Sequence, residues 1–277
     1  MTDAQEFPLV RRLNAAFNDT FIAKMQEQAG PDFNVRAQWA SAMSCISADK
    51  YLAKCDLASV AMAIYEASRL RLSLHPALAQ GDLIARRRGD GYLCSFEPRY
   101  GGLIELARRS GLITGIVAEV VYTNDLFEVD LANQTISHKP RLTGDRGVPL
   151  CVYARVWFLN GGDEFRLMRI DEVNKIRDNS EGYKAYQQKK IQSTPWVDWW
   201  DEMARKTVLK RMSKQMPKSE TFQALHEAVG IDNALEGGPA VVSQVSAEVV
   251  NAALADSEPS FEEDEQERAL EGAFQQA

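Results

Sequence analysis

Apolar residues recur at Leu9, Leu13, Phe17, Phe21 and Met25. A spacing of four predicts a helix over 8–29 with one apolar stripe, closed by Gly30-Pro31. A shorter helix is predicted over 35–47. The alanine-rich DLASVAMAIYEASRLRL (56–72) reads as a buried helix that stops before His75-Pro76. The period then shortens. DLIARR and YLCSFE are strand-like and joined by RGDG, a hairpin turn signal. A helix over 100–110 follows, then three strand candidates, GIVAEVVY, LFEVDL and QTISHK. LCVYARVWFL and EFRLMRI form a longer hairpin across NGGD, and Asp171 is placed to cap a short helix, DEVNKIRD. Residues 180–195 are polar and predict a loop. PWVDWWDEMARKTVLKRMSKQM predicts one long helix with Pro195 before or at its first turn. From about residue 232, LEGGPAVVSQVSAE and ADSEPS read as linkers. FEEDEQERALEGAFQQA can form a short amphipathic helix with Phe261, Leu270 and Phe274 on one side. Hairpins interleaved with helices predict an α+β fold, with a core to about residue 230 and a mobile tail.

Charge divides the chain at a similar place. The 277 residues carry a net −7, but residues 1–218 hold 31 basic and 26 acidic side chains, a net of +5. Residues 219–277 hold one basic and 13 acidic side chains, a net of −12. A mildly basic body with an acidic tail suggests a polyanion partner for the body and a separate task for the tail. No apolar run reaches the roughly 18 residues of a membrane span, and MTDAQEFPLVRRLNAAF lacks the pattern of a secretion signal. Cys45, Cys55, Cys94 and Cys151 are far apart in sequence and form no CxxC pair. They are expected to be reduced, buried thiols in a cytoplasmic protein.

The basic residues gather in three places. Arg108 and Arg109 end the helix over 100–110, where Glu105 can pair with either and Gly111 supplies a left-handed cap. Those pairs and the helix dipole account for both arginines without a ligand. Arg86, Arg87 and Arg88 crowd a hairpin whose nearby carboxylates are Asp82, Asp90 and Glu97. Lys206, Lys210 and Lys214 form one stripe, with Val208, Met212 and Met216 on the opposite side to face the core. Segment 184–218 holds nine basic and three acidic residues, a net of +6. Like charges one turn apart repel by a few tenths of a kcal/mol, roughly, unless a polyanion relieves them. The stripe therefore predicts contacts with a nucleic-acid backbone. Tyr92, Tyr100, Tyr183, Tyr186, Trp196, Trp199 and Trp200 lie near these charges. Single-strand binders use such platforms, although Trp199 and Trp200 are expected to pack in the core.

No GxxxxGK[ST], GxSxG, HExxH or GxGxxG occurs, so no motif for nucleotide use, a nucleophile elbow or a metalloprotease is present. The three histidines, His75, His138 and His226, are unpaired in sequence. Asp171-Glu172 with Lys175 has the residue types of a metal nuclease, but at this density of carboxylates such a match arises by chance.

The order LHPALAQGDLIA, RYGGLIELARRSGLI…AEVVYTNDLFEVD and PWVDWWDEMARKTVLKRMSKQMP resembles the RecT family of phage-encoded single-strand annealing proteins, from about residue 40 to about 217. The chain departs from the family at Gly101, where a basic residue usually follows the motif tyrosine; here Arg99 precedes Tyr100 instead. Only Gly81 stands where the first motif usually has two glycines near His75 and Gln80.

The resemblance implies a small antiparallel sheet with hairpins packed against helices around a basic DNA groove. It implies an N-terminal helical region (1–50) with oligomer contacts, an annealing core (51–230) and an acidic tail (231–277). The implied activity is ATP-independent pairing of single-stranded DNA with a complementary strand, by a ring or filament of the protein, without bond-breaking chemistry. No cofactor is expected to be required, with Mg²⁺ at most a counterion to DNA. An exonuclease and a host single-strand binding protein are expected partners, through the tail. Lys206, Lys210, Lys214 and Arg211 are the expected phosphate contacts. Arg205, Arg86, Arg87, Arg99, Arg108, Arg109, Lys189 and Lys190 support them, and Tyr100 stacks or packs. The competing reading is a scaffold whose basic body binds an acidic protein.

Overall fold

The computed structural model of the chain describes residues 19–236 and, outside that span, residues 9, 13, 17, 248, 250 and 252. The expected tail helix over 261–277 lies outside the described residues, as does most of the segment before Asp19. The fold is α+β, with small antiparallel sheets packed with helices. The chain divides into two compact units, one of residues 1–71, 83–96 and 242–277 and the other of 72–82 and 97–241. The boundary expected at residue 50 falls inside the first.

The first unit is built on α1 (Asp19–Ala29), α2 (Val35–Ala48) and α3 (Leu57–Arg69). Asn34 caps α2 by accepting from the Ala37 N–H, and Asp56 caps α3 by accepting from the Ser59 N–H. Leu9, Leu13, Phe17, Phe21 and Met25 are all buried, as their spacing predicts, although Phe17 sits in a bend. Phe17 stacks on Trp39, and Val60, Ala61 and Ile64 of α3 are fully buried. The strands β1 (Gly81–Arg88) and β2 (Gly91–Pro98) form the hairpin expected around RGDG, and Gly89 takes the positive φ that its turn requires. Cys55 and Cys94, distant in sequence, meet here as hydrogen-bonded buried thiols. That contact, the largest influence, lowers the Cys55 pKa.

The second unit centres on the antiparallel sheet β3-β6-β7. Its strands are β3 (Ile113–Tyr122), β6 (Pro149–Phe158) and β7 (Asp163–Arg169), preceded by α4 (Tyr100–Arg109). Ala118 pairs with Ala154, and Val120 with Val152, which faces Met168. These residues share one buried face. Helix α8 (Trp200–Ser213) packs on β3, β6 and β7. On the other face, Val121, Cys151 and Tyr153 lie under Phe127 and Ile136. Those two come from the hairpin β4 (Leu126–Asp130) and β5 (Thr135–Lys139).

The helices after the sheet differ from expectation. The short helix α5 (Ile170–Asn179) starts one residue before Asp171, which pairs with Arg169; Glu172 accepts the Arg169 N–H instead. Residues expected to be a loop hold α6 (Glu181–Gln187), capped by Ser180 and stiffened by the Tyr183–Tyr186 ring contact. The single helix expected after Thr194 is two, α7 (Pro195–Asp198) and α8, broken at Trp199 with φ −135° and ψ 46°. A further helix, α9 (Glu220–Leu235), buries Phe222, Leu225, Ala228, Val229 and Ile231.

Two local constraints position α4 and the turn after β3. Gly102 of α4 lies against the backbone of Gln80; a Cβ added there would stand 2.1 Å from the Gln80 carbonyl oxygen. Asp125 has a fully buried carboxylate that accepts from Arg146, from the backbone N–H of Tyr122 and Arg141, and lies 3.1 Å from His138 Nε2. The Arg146 guanidinium above all, with the two N–H groups and His138, outweighs burial and holds the Asp125 carboxyl well below the usual carboxylate range. The cluster ties the β3–β4 turn to β5 and to the loop before β6.

Alanine is normally the better helix residue, but Gly102→Ala is expected to lower unfolding free energy by about 2–3 kcal/mol through overpacking. Gly91→Ala, with open space around it, serves as the control; urea unfolding checks both. The stability contributed by Asp125 is complete above its unfolded pKa of about 3.9 and is lost as pH falls toward its lower folded pKa. Asp125→Asn is therefore expected to cost about 3 kcal/mol at pH 7 and to flatten the acid side of a stability–pH curve measured by urea unfolding.

Candidate nucleic-acid interface

The lysine stripe of α8 is not a solvent-facing surface. Lys206 and Lys210 are 6% and 7% exposed. Both close on Asp232 of α9, itself 1% exposed, at 2.6 Å for Lys206 and 2.7 Å for Lys210. Lys206 also meets Glu97 at 3.1 Å, and Lys210 meets Glu236 at 2.5 Å. The expectation of an exposed stripe is corrected for these two residues. Only Lys214, at the helix end, is exposed.

The cause lies in α9. Phe222, Leu225, Val229 and Ile231 each contribute roughly 1.5–3 kcal/mol on burial, ample to dock the helix. Docking carries Asp232, the neighbour of Ile231, into the interior. A buried carboxylate must be paired, and the two ammonium groups one turn apart on α8 do this. Burial works against the charge on Lys206, but Asp232 and Glu97 overcome it and hold its pKa above the ordinary value. Burial likewise works against the charge on Asp232, and the lysines overcome it and hold that carboxyl low. Both groups therefore stay charged between the carboxylate and amine ranges.

Most of the expected arginines are paired. Arg211 meets Glu172 at 2.7 Å; Arg205 meets Glu202 at 2.6 Å and Glu119 at 3.5 Å. Arg109 reaches Glu105 at 3.6 Å, as their spacing predicts, and Gly111 has the left-handed φ of a cap. Arg99 precedes α4 and lies 3.3 Å from Asp82, with about half its side chain exposed. Tyr100 is half-buried at the start of α4; burial, the largest influence, raises its pKa. Arg86 is half-buried on β1.

The exposed cations lie elsewhere. In the first unit they include Arg87 and Arg88 at the hairpin tip and Lys50 and Lys54 around a short 3₁₀ turn (Leu52–Lys54). In the second unit they include Arg108, Lys184, Lys189, Lys190, Lys214 and Lys218. Lys189 adopts a left-handed backbone (φ 57°) just after α6. None of these has a carboxylate partner among the described residues. Lys50 and Lys54 carry no sequence signal beyond their charge, whereas Lys184 opens the basic segment 184–218. Trp199, expected in the core, is 67% exposed, and Trp196 takes the buried place instead. Among the described residues, no group of three or more His, Cys, Asp or Glu is placed to hold a metal ion, and no helix is long and apolar enough to cross a membrane.

Comparison with known proteins agrees with the motif order. The chain is 31% identical over 196 residues to Protein RecT of Escherichia coli (strain K12). The match covers 65% of this chain and 65% of that protein, so it spans a little under two thirds of the relative's length. The model of the RecT family matches residues 39–237. That stretch is more than half of the chain and runs from α2 through α9. On this match the chain belongs to the RecT family.

Proposed function

We propose that the chain is a single-strand DNA annealing protein that acts in recombination without ATP. The family match over residues 39–237 carries this reading. The exposed cations support it. Annealing needs no bond to break; it needs two like-charged strands brought together with their bases accessible. Cations that contact phosphates lower the repulsion and leave binding independent of sequence. Lys189, Lys190, Lys214 and Arg108 of the second unit and Arg87 of the first are the proposed phosphate contacts from the expected set, and Arg99 is a further candidate. Lys206 and Lys210 set the fold of α8 against α9. Many copies on one strand would add weak contacts into stable binding. Mg²⁺ serves only as a counterion. An exonuclease that exposes single strands and a single-strand binding protein are the proposed partners, with the acidic segment after residue 236 as their contact, in the cytoplasm of a bacterial host.

Two dye-labelled complementary oligonucleotides mixed with the protein, without nucleotide, are expected to pair faster than they do alone. An unchanged rate would sink the annealing reading, and shortening of the strands with Mg²⁺ would replace it with a nuclease. A second measurement assigns the contacts. The log of the single-strand binding constant falls with log salt by about 0.7 per phosphate contact. Lys189→Ala combined with Lys190→Ala is expected to make that slope shallower by about 1.4. Lys210→Ala is expected to leave the slope unchanged and to lower stability by about 2 kcal/mol, because its charge is spent on Asp232 and Glu236.

A further inference from the structure

The first unit presents an aromatic pair among exposed cations that have no carboxylate partner among the described residues. Tyr51 is 45% exposed, and its ring lies 5.4 Å from that of the half-buried Tyr92, tilted by 42°. Neither hydroxyl has a hydrogen-bond partner among the described residues. The pair is held from below. Cys55 bridges to Tyr92, and the Asp56 N–H donates to the Tyr92 carbonyl at 3.0 Å. These contacts pin the turn that carries Tyr51 beside the strand that carries Tyr92. The platform is therefore built in advance and loses little freedom when something stacks on it.

Cations outnumber carboxylates around the pair by four to three. Lys50 and Lys54 flank Tyr51 in sequence, and Arg87 and Arg88 share the hairpin of Tyr92. Two of the neighbouring carboxylates are turned toward backbone N–H groups while keeping their charge. Asp49 accepts from the N–H of Tyr51 and Leu52, and Asp56 caps α3. Asp90, in the hairpin turn, is the remaining one. Lys50 Nζ rests 5.1 Å from the centre of the Tyr51 ring. An exposed cation–π contact of this kind is weaker than a base stacked on an aromatic ring. A base arriving with its phosphates can displace Lys50 from the ring and give the ammonium a phosphate to pair with.

We infer that Tyr51 and Tyr92 form a stacking site for an unpaired nucleobase, with Lys50, Lys54, Arg87 and Arg88 holding its flanking phosphates. The inference rests on the nucleic-acid reading above and adds that this unit touches bases as well as phosphates. A paired base offers no open face, so the site selects single strands, and every base has a π-face, so it does not select sequence.

The test compares an oligothymidylate with an abasic oligonucleotide carrying the same number of phosphates, each titrated with the full chain. The wild type is expected to bind the oligothymidylate more tightly. Tyr51→Ala is expected to weaken that binding about 5- to 20-fold and to leave abasic binding and its salt slope unchanged. Tyr51→Phe should retain the wild-type preference. Photocrosslinking of iodouracil-substituted DNA to the wild type should mark Tyr51 or Tyr92. Equal loss on both oligonucleotides, or no loss on either, overturns the stacking site, as does a crosslink map that omits both tyrosines. If the wild type binds the abasic strand as tightly as the oligothymidylate, the phosphate reading stands and the stacking site falls. If it binds neither, both fall.

Discussion

One carboxylate organises the end of the second unit. Asp232 gives one oxygen to Lys206 and the other to Lys210, two lysines one turn apart on α8. The apolar face of α9 supplies the energy of docking, but apolar contacts tolerate sliding. The charges do not. Rotating α9 by one residue turns Asp232 by about 100°, taking it from both lysines, of which Lys206 keeps only Glu97. The ion cluster is a weak source of net stability, since burial offsets most of its attraction. Its effect is on register: only one seating of α9 leaves no buried charge unpaired. Glu97 and Glu236 complete the cluster on either side.

This interaction also explains what was legible in the sequence and what was not. The elements with a strong period were legible: the stripe from Leu9 to Met25, the RGDG hairpin, and the strands on either side of NGGD. So was the Glu105–Arg109 pair, a local contact fixed by helical spacing. Helix α9 is hard to see in the sequence because its acidic composition resembles the tail that follows, although Phe222, Leu225 and Val229 carry the period. Without it, Lys206 and Lys210 look solvent-exposed. A lysine stripe alone does not reveal which helix face is covered; that depends on a carboxylate 22 residues after Lys210. The Asp125 cluster was hidden for the same reason, because Arg141, His138 and Arg146 converge on it only once the strands are paired. Tyr51 gave no signal, since its exposure is a property of the turn and not of its neighbours in sequence.

The division of cations into buried and exposed sets has a consequence for annealing chemistry. Lys206 and Lys210 are rigid, desolvated and committed to carboxylates, so transferring them to a phosphate would strand Asp232 in the interior. Lys189, Lys190, Lys214, Arg87 and Arg88 are exposed, without a carboxylate partner among the described residues, and on the proposed reading would exchange water and ions for a phosphate at low cost. A protein that pairs strands must hold each one firmly enough to overcome repulsion and loosely enough to let the register adjust. Exposed cations meet both requirements, because each contact is weak and salt-screened and the sum is set by their number. On the proposed reading, the strength of the grip on DNA is tuned at the surface, independently of the buried charges that fix the fold.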